Sequence, residues 1–153
     1  MMKSFFPTHT NPFSPKRTHS RSVSAIDTLR AHPRRTLVVL GYAVVVFVAS
    51  VLPAASGSLT PTGPLGVVGL DKWIHAVGYA GLGFGVAYAL QARGVTESGT
   101  AVVVAAVFGA CIELVQALLP YRSFSLLDMG ANLFGAFVGG VLWYAVTRLQ
   151  TGR

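Results

Sequence analysis

A chain of 153 residues that is 52% hydrophobic and 11% charged holds less than half the charge of an ordinary soluble domain, where charged residues run near ~25%. That composition speaks against a soluble fold, and at about twenty residues per span the length allows four or five membrane helices and no second domain. The formal charge of +7 raises nucleic acid as a partner, but the basic residues lie in a polar tail and in loops without aromatic interleaving, so no nucleic-acid binding is expected.

From the N-terminus, residues 1–35 are rich in Ser, Thr, Pro, His and Arg and lack apolar periodicity, which predicts a disordered basic tail. The uncharged run Thr36 to Leu52, "TLVVLGYAVVVFVASVL", predicts a first span behind the basic flank His32-Pro33-Arg34-Arg35. Pro53-Ala54-Ala55-Ser56 follows it and raises cleavage of this helix as a signal peptide, a reading opposed by the length of the polar lead. Residues 53–69, full of Gly, Pro, Ser and Thr, predict a loop. A second span runs from Asp71 or Trp73 to Gln91, stopped by Ala92-Arg93-Gly94. A third runs from Gly99 to Leu119, ended by Pro120. The fourth runs from Leu126 to Thr147, with Trp143 and Tyr144 as interfacial anchors. Cys111 sits inside an apolar stretch, so neither an internal disulfide nor a thiolate metal centre is expected.

The expected architecture is therefore all-α: a polytopic membrane protein built as a four-helix transmembrane bundle over residues 36–148, with a short C-terminus at 149–153. Lys and Arg set its orientation. Seven lie in the tail, one at Arg93 and two in the C-terminus, against Lys72 and Arg122 alone on the other side. The bias predicts a cell-membrane protein with both termini cytoplasmic.

In that orientation the polar groups of the later spans collect at the outer end. The second span brings Asp71, Lys72 and His75, the third Glu113 and Gln116, the following loop Arg122, and the fourth Asp128 and Asn132. Residues three, four and seven apart share a helix face. On that rule His75, Gly78, Tyr79, Leu82 and Gly85 form one stripe, Ala106, Gly109, Glu113 and Gln116 a second, and Asp128, Asn132, Gly135 and Gly139 a third. Polar groups continued inward by small residues point toward helix contacts rather than lipid. Glu113, about two turns below the helix end, is the hardest to explain as a cap. An unpaired carboxylate at that depth costs at least ~2.5 kcal/mol, and Arg122, Lys72 and His75 are the cations available to it. Plainer roles exist for the others. Ser125-x-x-Asp128 is a capping-box pattern, Asp71 suits the positive end of a helix, Lys72 can snorkel, and His75, Gln116 and Asn132 can glue helices together.

Taken together, "DKWIHAVGY" from Asp71, "ELVQ" from Glu113 and "RSFSLLDMGANLFG" from Arg122 resemble the VanZ-like family of small membrane proteins. That family shows Asp-Lys-x-x-His with a Tyr four residues on, then Glu-x-x-Gln, an Arg, a Ser, and Asp-x-x-x-Asn-x-x-Gly. The resemblance spans Asp71 to Val141; Gly130 departs from it, standing where the family more usually has a larger apolar residue. Its founding members are associated with low-level resistance to the glycopeptide teicoplanin. The resemblance thus implies an envelope role without assigning a reaction.

The leading expectation is an outward-facing polar site, formed by Asp71, Lys72, His75, Glu113, Gln116, Arg122, Asp128 and Asn132, that binds an envelope amphiphile. The partners are membrane lipids and a lipid-linked envelope precursor or a lipoglycopeptide, with Lys72 and Arg122 meeting an anionic headgroup. Two alternatives use the same residues. In one, His75 with Glu113 or Asp128 acts as an acid–base pair in a membrane-embedded hydrolase of lipid-linked phosphate or ester. In the other, the network only holds a structural bundle together. No tight ligand motif such as His-Glu-x-x-His occurs, so no metal and no cofactor are expected.

Overall fold

The computed structural model describes residues 24–53, 63, 64, 66 and 68–152. These are helical and contain no strand: α1 (Ala25–Ala31), α2 (Pro33–Val51), α3 (Leu70–Ala89), α4 (Val95–Gln116) and α5 (Leu126–Thr151). α1 lies where the composition predicted a tail without structure. Ser24 caps it by accepting from Ile26 N–H, while Asp27 in its first turn and Arg30 in its last complement the helix dipole. Pro33 then opens α2 at a position where its missing N–H removes no helical bond. Residues 25–35 are thus helical apart from the hinge at His32, and residues 1–23 lie outside the described part of the chain.

Local chemistry also sets the other helix ends. Gln91, at φ 51°, takes the left-handed position after α3. Ala92 N–H closes back on Ala87 carbonyl at 3.0 Å and Gln91 N–H on Tyr88 carbonyl at 3.2 Å. This is a Schellman stop, three residues before the glycine that the sequence offered for it. α4 begins at Val95 and ends at Gln116. Leu118 and Leu119 continue it only by tightened i→i−3 bonds, since Pro120 turns the preceding residue away from α geometry.

The most extensive contact joins α3 and α5, α4 packs across both, and α2 lies against the outside of α3 and α4. Backbone contact at three glycines lets α3 and α5 come together. A Cβ on Gly83 would collide with Ala136 carbonyl oxygen, one on Gly135 with that of Ala76, and one on Gly139 with that of Ala80. Tyr79, Leu82, Ala105 and Ala136 make the central core. At the other end Ala87, Ala92 and Ala101 pack against Trp143. The Trp143 indole donates to Ala92 carbonyl at 2.7 Å and meets Phe84 and Tyr88 edge-on at 5.3 and 5.6 Å.

Among the described residues, α2, α4 and α5 are long and apolar enough to cross a membrane. α3 has 20 residues but is not among them, because Asp71, Lys72 and His75 in its first two turns and its many glycines lower its hydropathy. Large apolar side chains such as Val103, Val107, Leu114, Leu133 and Phe137 face outward, whereas Glu113, Gln116 and Asn132 are buried. A soluble bundle has the reverse arrangement, so the chain folds as a membrane protein does.

Candidate functional site

The first two turns of α3, the last turn of α4 and the first two turns of α5 meet at one end of the bundle. His75 and Tyr79 stand one turn apart on α3, Gly109 and Glu113 one turn apart on α4, and Asp128 and Asn132 one turn apart on α5. Gly109 brings α4 close. A Cβ there would sit 2.8 Å from the Tyr79 ring and 3.1 Å from Asn132 Cβ.

Ser125 organises the start of α5. Its hydroxyl accepts from Asp128 N–H at 3.2 Å, the cap the sequence predicts. Its own N–H donates to Glu113 Oε2 at 3.3 Å. The Asp128 carboxylate does not close the reciprocal half of the capping box. It reaches across to α3 and pairs with Lys72, which also pairs with Asp71. His75 Nδ1 and Asn132 Oδ1 share a hydrogen bond at 2.9 Å, tying the second turn of α3 to the second turn of α5.

Glu113 is 0% exposed. The ionisable groups that act on it electrostatically are Asp128, His75 and Lys72, so one cluster spans all three helices. Its Oε2 is satisfied by a backbone N–H near the positive end of α5, a favourable place for a carboxylate. Among the described residues its Oε1 has no hydrogen-bond partner, and neither have the buried Tyr79 Oη and Asn132 Nδ2. Three buried polar groups left open in one cluster are unusual, because such groups are nearly always satisfied.

Of the eight residues singled out in sequence, six come together here: Asp71, Lys72, His75, Glu113, Asp128 and Asn132. The other two work on α2. Gln116 Nε2 donates to Ser50 carbonyl at 2.8 Å and Arg122 Nη2 to Leu52 carbonyl at 2.8 Å, while Tyr121 Oη donates to Val51 carbonyl at 3.1 Å. These are the orphan acceptors of a helix C-terminus, and the guanidinium also meets the negative end of the dipole. Both cations expected to meet an anionic headgroup are therefore already engaged. Among the described residues, no three His, Cys, Asp or Glu side chains are placed to hold a metal ion. His75 bonds to an amide rather than to a carboxylate.

The VanZ/LLP1 family model matches residues 1–147. The chain belongs to the VanZ/LLP1 family. The match extends well beyond the motif region at Asp71 to Val141 and takes in α1, α2 and the N-terminal residues that the motifs alone leave out. No curated protein and no solved structure matches the chain. Of the VanZ/LLP1 motif residues, sequence reasoning undervalued Tyr79 and Ser125. Tyr79 shares the His75 stripe, and Ser125 stands three residues before Asp128. Tyr121 and the α2 carbonyls gave no signal.

Proposed function

We propose that this VanZ/LLP1 protein is a four-span protein of the cell membrane whose polar cup binds the headgroup of an envelope amphiphile. α3 is the fourth span. Its 20 residues cover about 30 Å at 1.5 Å per residue, and its polar first turns face α4 and α5 rather than lipid. The Lys and Arg bias puts both termini in the cytoplasm and the cup at the outer surface. A lipid-linked envelope precursor and a lipoglycopeptide are the ligand classes that reach such a site, and the second links it to teicoplanin resistance.

One observation carries this reading. Glu113 is fully buried, and its Oε1, Tyr79 Oη and Asn132 Nδ2 all lack a hydrogen-bond partner among the described residues. A network serving only to hold helices together gains by satisfying its own members. Native mass spectrometry of the protein extracted with its own lipids tests the proposal. The wild type is expected to keep a discrete adduct mass that folded Glu113→Gln loses. An identical adduct pattern in both proteins contradicts it.

A further inference from the structure

A groove of about 230 Å³ opens between α3 and α5 directly beside the cup, lined by Val68, Lys72, Trp73, Ala76, Leu127 and Phe134. Apart from Lys72 its wall is hydrocarbon and aromatic. It is smaller than the ~300–1,000 Å³ of a pocket for a whole small molecule, so it suits a segment of one chain. Lys72 belongs to both features: its stem lines the groove and its ammonium enters the cup. Cup and groove are thus one continuous amphipathic surface.

The charge in the cup indicates which headgroup fits. The groups facing it are Asp71, Lys72 and His75 from α3, Glu113 from α4, and Asp128 and Asn132 from α5. Three carboxylates stand against one lysine, and that lysine already pairs with two of them. Arg122 is turned to Leu52 carbonyl. A phosphate placed here would meet Asp128 and Glu113, with the Lys72 ammonium already held by Asp71 and Asp128. A group with N–H donors and positive charge would find two acceptors among the atoms left unpartnered by the described residues, Glu113 Oε1 and Tyr79 Oη, while Asn132 Nδ2, a donor, suits an oxygen of the same headgroup, in a water-poor site where charge-assisted bonds are strong.

Building on the reading of the cup as a headgroup site, we propose that the ligand is a lipid with an ammonium headgroup. Its ammonium binds among Asp71, Asp128 and Glu113, and one of its chains lies in the α3–α5 groove. Trp73 lines that groove, so its fluorescence reports a chain seated there.

The test uses the full chain in nanodiscs of unbrominated phosphatidylglycerol, a host without an ammonium, doped with brominated-chain phosphatidylethanolamine or, separately, with phosphatidylglycerol carrying the same brominated chains. Both dopants hold one phosphate, and only the first holds an ammonium. Subtracting the signal of Trp73→Phe isolates Trp73 from Trp143. Phosphatidylethanolamine is expected to quench Trp73 at about three-fold lower mole fraction, the size of one solvent-accessible ion pair. Lys72→Gln, which removes the competing cation, should widen that preference, and Asp128→Asn should narrow it. Equal quenching by the two dopants overturns the proposal. A preference for phosphatidylglycerol that Lys72→Gln abolishes also overturns the ammonium while leaving the cup as a headgroup site. No preference, with neither substitution having any effect, removes both.

Discussion

Arg122, Tyr121 and Gln116 each hold a main-chain carbonyl of α2, and that choice of partner fixes what each contributes. Neutral hydrogen bonds of this kind are worth about 0.5–1.5 kcal/mol net and those from a charged donor about 1.5–3. Together they anchor a helix that has no buried residue of its own. The double substitution Gln116→Ala, Arg122→Ala should therefore loosen the last turn of α2 without disturbing the cup. Hydrogen exchange of the amides from Val48 to Leu52 is expected to speed up by at least ~10-fold, the equivalent of about 1.4 kcal/mol of local stability, while the amides of Ala110–Gln116 keep their rates. Unchanged exchange in α2 contradicts the clamp. Gln116 and Arg122 stood out in sequence because polar groups beside apolar runs need partners, whereas Tyr121 did not. The partners did not, because a carbonyl acceptor is common to every residue and its position is known only once α2 is docked. Glu113 makes the same point: the cations in the sequence suggested a salt bridge, and the structure supplies a backbone N–H of Ser125.

Between elements, glycine spacing sets how closely α3 and α5 approach, and it was partly readable. Gly135 and Gly139 continue the Asp128–Asn132 stripe and both lie against α3 backbone. Gly78, on the His75 stripe, has open space beside it, and Gly85 meets only the flexible side chain of Val39 at 3.4 Å. The α3 glycine in tight contact with α5 is Gly83, and Gly81 lies as close to the Tyr42 side chain of α2; neither is on a predicted stripe. α3 touches α2, α4 and α5, and a helix with three neighbours has more than one inward face. The helix ends were similarly legible to within a few residues, and the miss at Gln91 has a physical cause: the Schellman bonds form where α5 delivers Trp143 to Ala92 carbonyl. Gly139→Ala drives a methyl into Ala80 carbonyl and should lower stability by about 1–3 kcal/mol. Gly130→Ala meets no atom within 4 Å and should be neutral or raise stability by up to ~1 kcal/mol through helix propensity. Thermal unfolding of the two variants in the same detergent checks both signs. Equal losses would mean that contact at Gly139 does not govern the α3–α5 packing.

Across the whole molecule, apolar side chains face outward and a charged, incompletely paired cluster lies inside. Composition alone indicated the first, because so few charges cannot cover a soluble surface. The second needed the fold, since the cup assembles from three helices far apart in sequence. An open carboxylate in the bundle is costly to the unliganded protein, and retaining it at the expense of stability is what a binding site requires and a scaffold does not. The two roles separate in one measurement: unfolding midpoints of delipidated wild type and Glu113→Gln, each with and without added lipid extract from the native membrane. Glu113→Gln alone should be at least as stable as the wild type. On adding lipid the wild type should gain up to ~2.7 kcal/mol at a ligand concentration about a hundred times Kd, while the variant stays where it was. A variant that is less stable from the start yet gains as much from lipid as the wild type would contradict the binding role of the cup.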